Sequence, residues 1–345
     1  MAGSLRSYSG ITTKSKAKQG KLFKEEDYEE LISQKSVKDF VLYLKSNSAY
    51  HSYFDSFNEN IVHRGQIEKI LREALYESYQ SLYRFADRKQ RKQMGLIYSH
   101  YEMTMLSECL RKLYSNSIDI DYKTYINILN GHISIPMEKL VEAKSIDEFI
   151  QLLKGTPYEN VFQPIVNSKS YTLFDLVMHL NCYYYKTVWK RKNKVLPHAM
   201  NEAFTKCIGT KIDIMNIMMI YRCKKYYGVD QNEIIPILIP VCYKLKKREL
   251  NELIAANSIS EFMTKLQLTI YKVEGEHLTQ DDMEYAYYQK IMKAFKESKR
   301  NNPLSMSPIF SYLYQKEKEL DNLTTIVEGI RYGMSQAKIR EFLIY

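Results

Sequence analysis

Residues that break helices are scarce in this chain. Twelve glycines and eight prolines in 345 residues are about half the usual share. The shortage excludes collagen-like and low-complexity classes. With Lys, Glu, Leu, Ile and Met abundant, it leaves long helices as the expected elements. Long apolar runs are missing too. The most apolar stretch, Ile234 to Tyr243, contains Pro236 and Pro240 and is about half the ~20 residues that a membrane-spanning helix needs. The N-terminus has no apolar segment of the kind that marks a secretory signal. The five cysteines, Cys109, Cys182, Cys207, Cys223 and Cys242, are odd in number and form no CxxC pair, which suits a reducing compartment and argues against a disulfide framework or a zinc site.

Chemical signatures are absent as well. The sequence holds no GxxxxGK(S/T), no GxGxxG and no HExxH, so neither a P-loop, a dinucleotide fingerprint nor a zinc-protease helix is expected. The histidines, at positions 51, 63, 100, 132, 179, 198 and 277, show no ligand spacing on one helix. Gly209-Thr-Lys211 is too short a fragment to be read as a phosphate loop. The acids Glu25-Glu26-Asp27 and Asp281-Asp282 stand where helices start, where carboxylates favour the helix dipole, and they suggest no acid–base pair. No catalytic residue, cofactor or metal site is expected.

What the chain does contain is a triplication. Leu31-Ile-Ser-Gln-Lys-Ser-Val-Lys-Asp-Phe40 returns as Leu140-Val-Glu-Ala-Lys-Ser-Ile-Asp-Glu-Phe149 and as Leu253-Ile-Ala-Ala-Asn-Ser-Ile-Ser-Glu-Phe262. In each copy a serine (Ser36, Ser145, Ser258) stands three residues before an acid (Asp39, Glu148, Glu261). That is a capping box, in which the hydroxyl accepts from the N3 amide and the acid reaches back to the cap amide. The helices that follow carry Val37, Phe40, Val41, Leu44; Ile146, Phe149, Ile150, Leu153; and Ile259, Phe262, Met263, Leu266. This i, i+3, i+4, i+7 spacing makes one apolar stripe. A shorter helix is expected upstream, with Tyr28, Leu31, Ile32; Met137, Leu140, Val141; and Leu250, Leu253, Ile254. Each copy ends on a tyrosine, in Ser48-Ala-Tyr50, Thr156-Pro-Tyr158 and Thr269-Ile-Tyr271.

A second block recurs in the same order. Lys211 to Tyr226 and Glu317 to Tyr332 both place an acid three residues before an asparagine (Asp213 and Asn216; Glu319 and Asn322), a tyrosine ten residues after it (Tyr226; Tyr332), and then Gly228 and Gly333, which read as C-caps. A looser copy, Tyr101 to Tyr114, has Thr104 at the asparagine's place. The asparagines are mid-helix and are expected to bond a neighbouring helix or loop. Two blocks at similar spacing make the repeating unit a domain, with boundaries near 1–115, 116–228 and 229–345. Longer helical patterns run over Ile61 to Gln93, Tyr171 to Ala203 and Asp281 to Lys299. Asn302-Pro303 and Ser307-Pro308 are expected to break the chain before the last block. Ser7 to Ala17 reads as a helix whose small residues permit close packing, and Ser335 as the cap of a final helix docked on its own domain.

The net charge is +10, and basic tracts lie at Arg84–Lys92, Lys186–Lys194 (around Trp189) and Lys244–Arg248. Such a balance suits nucleic acid, an anionic lipid surface or an acidic protein. A basic helical-repeat protein for nucleic acid and an all-helical enzyme therefore stand as alternative readings; binding that weakens steeply with salt, or a deep pocket with shifted ionisable groups, would mark each.

The joint order of these motifs resembles the family that holds the C subunit of the rotary V-/A-type ATPases and the d subunit of the eukaryotic enzyme. The unit L-x4-S-x2-(D/E)-F-x3-L with a following Thr-x-Tyr, clearest at Leu140 to Tyr158, is similar to that family. So are Asp213-Ile-Met-Asn216 running into Tyr221-Arg-Cys-Lys-Lys-Tyr226, and the ending Glu319-Leu-Asp-Asn322, Arg331-Tyr-Gly333 and Ile339-Arg-Glu-Phe-Leu343. The resemblance spans roughly residues 7–345. It implies an all-α fold of three homologous helical domains in a pseudo-threefold funnel. It also implies a non-catalytic central-stalk component, peripheral on the cytoplasmic face of the membrane, with the proteolipid ring and the shaft of the ATPase head as partners. Such a part passes torque for proton or sodium transport without a cofactor. Anionic lipid would then be a possible contact and nucleic acid an improbable one.

Overall fold

The computed structural model describes residues 2–59, 64–115, 135–163, 171–228, 230–275 and 279–344. Ile61, His63, His132, His277 and Tyr345 lie outside them. Among the described residues there are helices and no strand, so the fold class is all-α. In chain order the helices are α1 (Ala2–Gln19), α2 (Glu25–Ile32), α3 (Val37–Ser46), α4 (His51–Phe54), α5 (Arg64–Phe85), α6 (Arg88–Ser115), α7 (Met137–Glu142), α8 (Ile146–Leu152), α9 (Leu173–Val195), α10 (His198–Arg222), α11 (Gln231–Ile234), α12 (Lys247–Ala255), α13 (Ile259–Gln267), α14 (Gln280–Asn301), α15 (Ser307–Arg331) and α16 (Gln336–Glu341). The described chain forms two compact units, residues 1–88 with 295–345 and residues 89–294.

In the first unit the C-terminal helix α15 is the centre. It packs against α1, α2, α3, α5 and α16, and its buried residues Phe310, Leu313, Leu320, Leu323 and Val327 face several neighbours. A helix apolar on many sides belongs inside a bundle. The small residues of α1 allow close approach as expected: Ser15 Oγ donates to the Pro308 carbonyl at 3.2 Å. A Cβ on Gly10 would stand 2.9 Å from the Phe85 ring. Helix α16 lays Ile339 over Gly329, where any Cβ would come within 2.5 Å of that side chain. Its cap is Ser335, whose Oγ accepts from Lys338 N, and Arg340 pairs with Glu29 of α2.

In the second unit α10 has the central role. Phe204, Cys207, Ile212, Ile217 and Tyr221 are all buried, and the helix packs on α9 and α12. It ends in a π-turn, Cys223–Tyr227, closed by Gly228 at φ 56°. That is the left-handed cap that glycine takes without strain; Gly333 does the same at φ 65°.

Two long patterns end differently from expectation, and one expected break is absent. The run expected to continue to Gln93 stops at Phe85, and α6 restarts at Arg88 after a turn at Ala86–Asp87. The run expected over Tyr171–Ala203 stops at Val195 because Pro197 follows. The residue before a proline is pushed out of the helical region, and Leu196 has ψ 136°. Pro308 does not break the chain as expected. It lies in the first turn of α15, where a missing N–H costs nothing, so the break is left to Asn302–Met306.

Candidate functional site: three carboxylate latches

The three decapeptides fold alike. Ser36, Ser145 and Ser258 are N-caps whose hydroxyls accept from the amides of Asp39, Glu148 and Glu261, each at 3.1 Å. The return contact differs from the expected one. Glu148 and Glu261 reach past the serine to the amides of Lys144 and Asn257, both at 2.8 Å. Asp39 is one methylene shorter and instead accepts the Ser36 hydroxyl at 2.6 Å. Phe40, Phe149 and Phe262 are fully buried, and the nine apolar residues of the upstream helices α2, α7 and α12 are buried with them. These residues are caps and core.

The second block builds something more specific. Asp213 is 1% exposed, on α10. Its Oδ1 accepts from Tyr243 N at 2.9 Å, and its Oδ2 from Lys244 N at 2.7 Å and Leu245 N at 2.9 Å. The Tyr271 hydroxyl donates to the same Oδ2 at 2.8 Å. One turn on, the Asn216 amide pairs with both backbone groups of one residue: Nδ2 donates to Ile239 O at 3.0 Å, and Oδ1 accepts from Ile239 N at 2.9 Å. A mid-helix acid and amide therefore hold the whole proline-interrupted segment 239–245 in place. The Ile239 and Leu245 amides are buried and would otherwise lack partners.

The last block repeats this in the first unit. Glu319, 2% exposed, accepts from Phe23 N at 2.6 Å and from the Tyr50 hydroxyl at 2.6 Å. Asn322 pairs with both the carbonyl and the amide of Ile344, at 2.9 and 3.0 Å. Phe23 stands two residues before α2 as Leu245 stands two before α12, so the two acids clamp equivalent linkers. This latch has one addition, a buried Lys316 whose Nζ lies 2.6 Å from Glu319 Oε1, 2.7 Å from the Tyr50 hydroxyl and 4.2 Å from the centre of the Tyr50 ring.

The sequence pattern anchors the first copy of the block on Thr104. The acid that acts is Glu102, one residue out of that register, and it accepts from the Tyr158 hydroxyl at 3.1 Å. Buried Met105 then takes the asparagine's place. A second contact supports this register. Lys112 Nζ donates to Val141 O at 3.0 Å, and Lys224 Nζ to the equivalent Ile254 O at 2.6 Å. One residue more separates Asp213 from Lys224 than Glu102 from Lys112, and Lys224 lies in the π-turn Cys223–Tyr227.

The tyrosines of the latches are Tyr50, Tyr158 and Tyr271, the residues on which each decapeptide unit ends. Tyr226 and Tyr332, the tyrosines of the second block, are instead 56% and 65% exposed at helix ends. Burial first, and the facing carboxylate second, push all three latch phenols above the ordinary tyrosine value. The latches also have an order. The acid of the first copy takes the tyrosine of the second, that of the second takes the tyrosine of the third, and that of the third takes Tyr50 of the first.

Among the described residues no group of His, Cys, Asp or Glu is arranged to hold a metal, the cysteines are free, and no helix is long and apolar enough to cross a membrane. Gly209-Thr-Lys211 lies inside α10 with the Tyr243 ring against Gly209, which leaves no phosphate loop there.

Comparison with known proteins decides what kind of scaffold this is. The sequence profile of the ATP synthase (C/AC39) subunit family matches residues 11–342. The chain belongs to that family. Similar proteins include the C subunit of the A-type ATP synthase of Desulfurococcus sp. strain SY, 25% identical over 341 residues that cover 97% of this chain and 90% of that protein. The C subunits of the A-type ATP synthases of Methanocaldococcus jannaschii (24%, covering 99% and 87%) and Thermococcus kodakarensis (25%, covering 97% and 90%) are also similar. As a C/AC39-family chain it is a subunit of a V-/A-type ATPase.

Proposed function

We propose that this chain is the non-catalytic central-stalk component that links the rotor shaft of the ATPase head to the membrane proteolipid ring. In this role it is peripheral on the cytoplasmic face and transmits torque for proton or sodium transport without a cofactor. The observation that carries the reading is the family match, which runs over nearly the whole chain. Three repeats of one helical domain, near 1–115, 116–228 and 229–345, would surround an axis as a part on a rotating ring must. The recurrence of one latch at Glu102–Tyr158, Asp213–Tyr271 and Glu319–Tyr50 supports the threefold repeat of one helical domain. A torque-bearing part also needs stiffness, and buried, fully bonded carboxylates supply it.

The test is affinity purification of the tagged chain from detergent-solubilised membranes. Proteolipid and shaft proteins should copurify with it. The isolated chain should hydrolyse no ATP, and membranes lacking it should lose ATP-driven ion uptake. Recovery of the chain alone from such membranes, with ion uptake unaffected by its deletion, would sink the reading.

A further inference from the structure

The three basic tracts are far apart in sequence, yet parts of all three meet on one surface of the unit 89–294. Along α9, Lys186, Lys190 and Lys194 are exposed and fall at i, i+4 and i+8, so they form one stripe. Arg191 and Trp189 flank Lys190 about 100° to either side. On the Arg191 side lies α6: a Cβ on Gly95 would be 3.6 Å from the Arg191 guanidinium. Exposed Lys92 sits three residues before Gly95 on that helix, hence on the same face. On the Trp189 side the indole meets the Tyr243 ring edge-on at 6.4 Å. Tyr243 opens the exposed run Lys244, Lys246, Lys247 and Arg248. The stripe is thus bordered by basic residues on both flanks.

The three basic segments themselves carry little opposing charge, and at their edge Arg248 pairs with Glu252 at 2.8 Å. No Asp or Glu occurs between Asp87 and Glu102, between Asp175 and Glu202, or between Glu233 and Glu249. The cations are mostly lysines, which act as mobile point charges. Arginine forks would suit geometrically fixed carboxylates of a folded acidic partner better. A cation already sits over each aromatic, Lys192 4.4 Å over Trp189 and Lys244 5.9 Å over Tyr243, which leaves less of each ring to unpaired bases than an open stacking platform would. A lysine-rich face of this breadth, built from segments that carry no acid between their basic residues, fits a diffuse anionic surface.

We propose that this face, centred on Lys190 and bordered by Lys92 and Lys244–Lys247, seats against anionic phospholipid headgroups. The proposal rests on the membrane-side placement given above and adds the surface that would meet the lipid.

The test is flotation of the full chain at low salt with vesicles of phosphatidylcholine alone and of phosphatidylcholine mixed with phosphatidylglycerol. The chain should float with the mixed vesicles only, and added salt should release it. The variant Lys190→Glu/Lys194→Glu/Lys247→Glu should lose at least about tenfold in binding while keeping its helical circular dichroism. A variant with the same charge change at other exposed sites, Lys139→Glu/Lys144→Glu/Lys154→Glu, should bind as the parent does. Failure of the parent to float with anionic vesicles, undiminished binding by the first variant, or binding of single-stranded DNA or RNA by a chain that ignores the vesicles would each overturn the proposal. Because the vesicles carry no proteolipid, the two ideas fail separately. A chain that copurifies with the ring but does not float refutes only the lipid contact. One that floats but captures no ring refutes only the coupling role.

Discussion

The phenol of Tyr50 donates to Glu319 across 269 residues of chain, at 2.6 Å, in a site where both side chains are buried. This contact ties the first sequence repeat to the last long helix, α15. Lys316 completes it, and a buried ion pair of this kind is costly to break from one side. Tyr50→Phe removes two hydrogen bonds, the one donated to Glu319 and the one accepted from Lys316, and should lower stability by about 1–3 kcal/mol. Glu319→Ala leaves the Lys316 ammonium and the Phe23 amide buried without their acceptor and should cost about 3–5 kcal/mol. Lys316→Met/Glu319→Leu, which removes both charges, should recover part of that loss. Urea unfolding of the parent and the three variants checks the order, and a double variant no more stable than Glu319→Ala would show that the charge is not what matters.

Asp213 gives a second measurement, free of the lysine. Its carboxylate serves three consecutive amides and Tyr271. Asp213→Asn keeps the size but turns an amide donor toward N–H groups, so it should destabilise by about 2–4 kcal/mol. Tyr271→Phe should cost about 1–2 kcal/mol. The double variant should cost less than the sum, since the two residues share one bond. Hydrogen exchange should show the amides of 243–245 losing protection in Asp213→Asn while α9 keeps its own. Uniform loss over the whole chain would contradict the local role.

Much of this is legible in the sequence, and the misses have physical causes. The caps are readable because Ser36, Ser145 and Ser258 act within four residues of chain. The mid-helix asparagines are readable as bonded to something, because a buried amide must be, but nothing local says that Asn216 meets Ile239 or that Asn322 meets Ile344. Tyr50, Tyr158 and Tyr271 stand out as recurring, and so do Asp213 and Glu319. What joins them is a tertiary contact between neighbouring repeats, which periodicity within a repeat does not encode. Glu102 escapes the pattern because one residue of register separates it from the position that Thr104 implies, and nothing in the local sequence marks that shift. Pro197 is the one breaker whose effect the long helical pattern hides.

Alkaline pH offers a test of the three latches together. Tyr50, Tyr158 and Tyr271 are held above the ordinary tyrosine value by burial and by their carboxylates, and burial pushes Tyr312 up to about 12. The folded chain therefore keeps protons that the unfolded chain releases near pH ~10. The stability tied to these phenols is complete below that pH and is lost as pH rises above it. Thermal unfolding should give a steady Tm up to about pH 9.5 and a steep decline beyond. Tyr158→Phe and Tyr271→Phe should each start lower and decline less steeply. A decline of equal slope in the parent and both variants would remove the phenols as its cause.

The glycines separate crowding from helix propensity. Gly209 faces the Tyr243 ring, with a Cβ there only 2.4 Å from a ring carbon, and Gly329 faces Ile339 at 2.5 Å. Neither neighbour is free to yield: Tyr243 is fixed by its amide's bond to Asp213, and Ile339 is the buried residue that seats α16. Gly65 is also helical, but a Cβ there meets nothing within 4 Å. Alanine is the better helix former by about 0.5–1 kcal/mol, so Gly65→Ala should stabilise by about that amount. The same substitution at Gly209 or Gly329 should instead destabilise by about 1–3 kcal/mol through overpacking. Gly329→Ala should also loosen α16, exposing the Ile344 amide, bonded to Asn322, to faster hydrogen exchange. Equal stabilisation at all three positions would mean that the two helices can part without loss. The close approach of Tyr243 to α10 and of Ile339 to α15 would then not be a requirement of the fold.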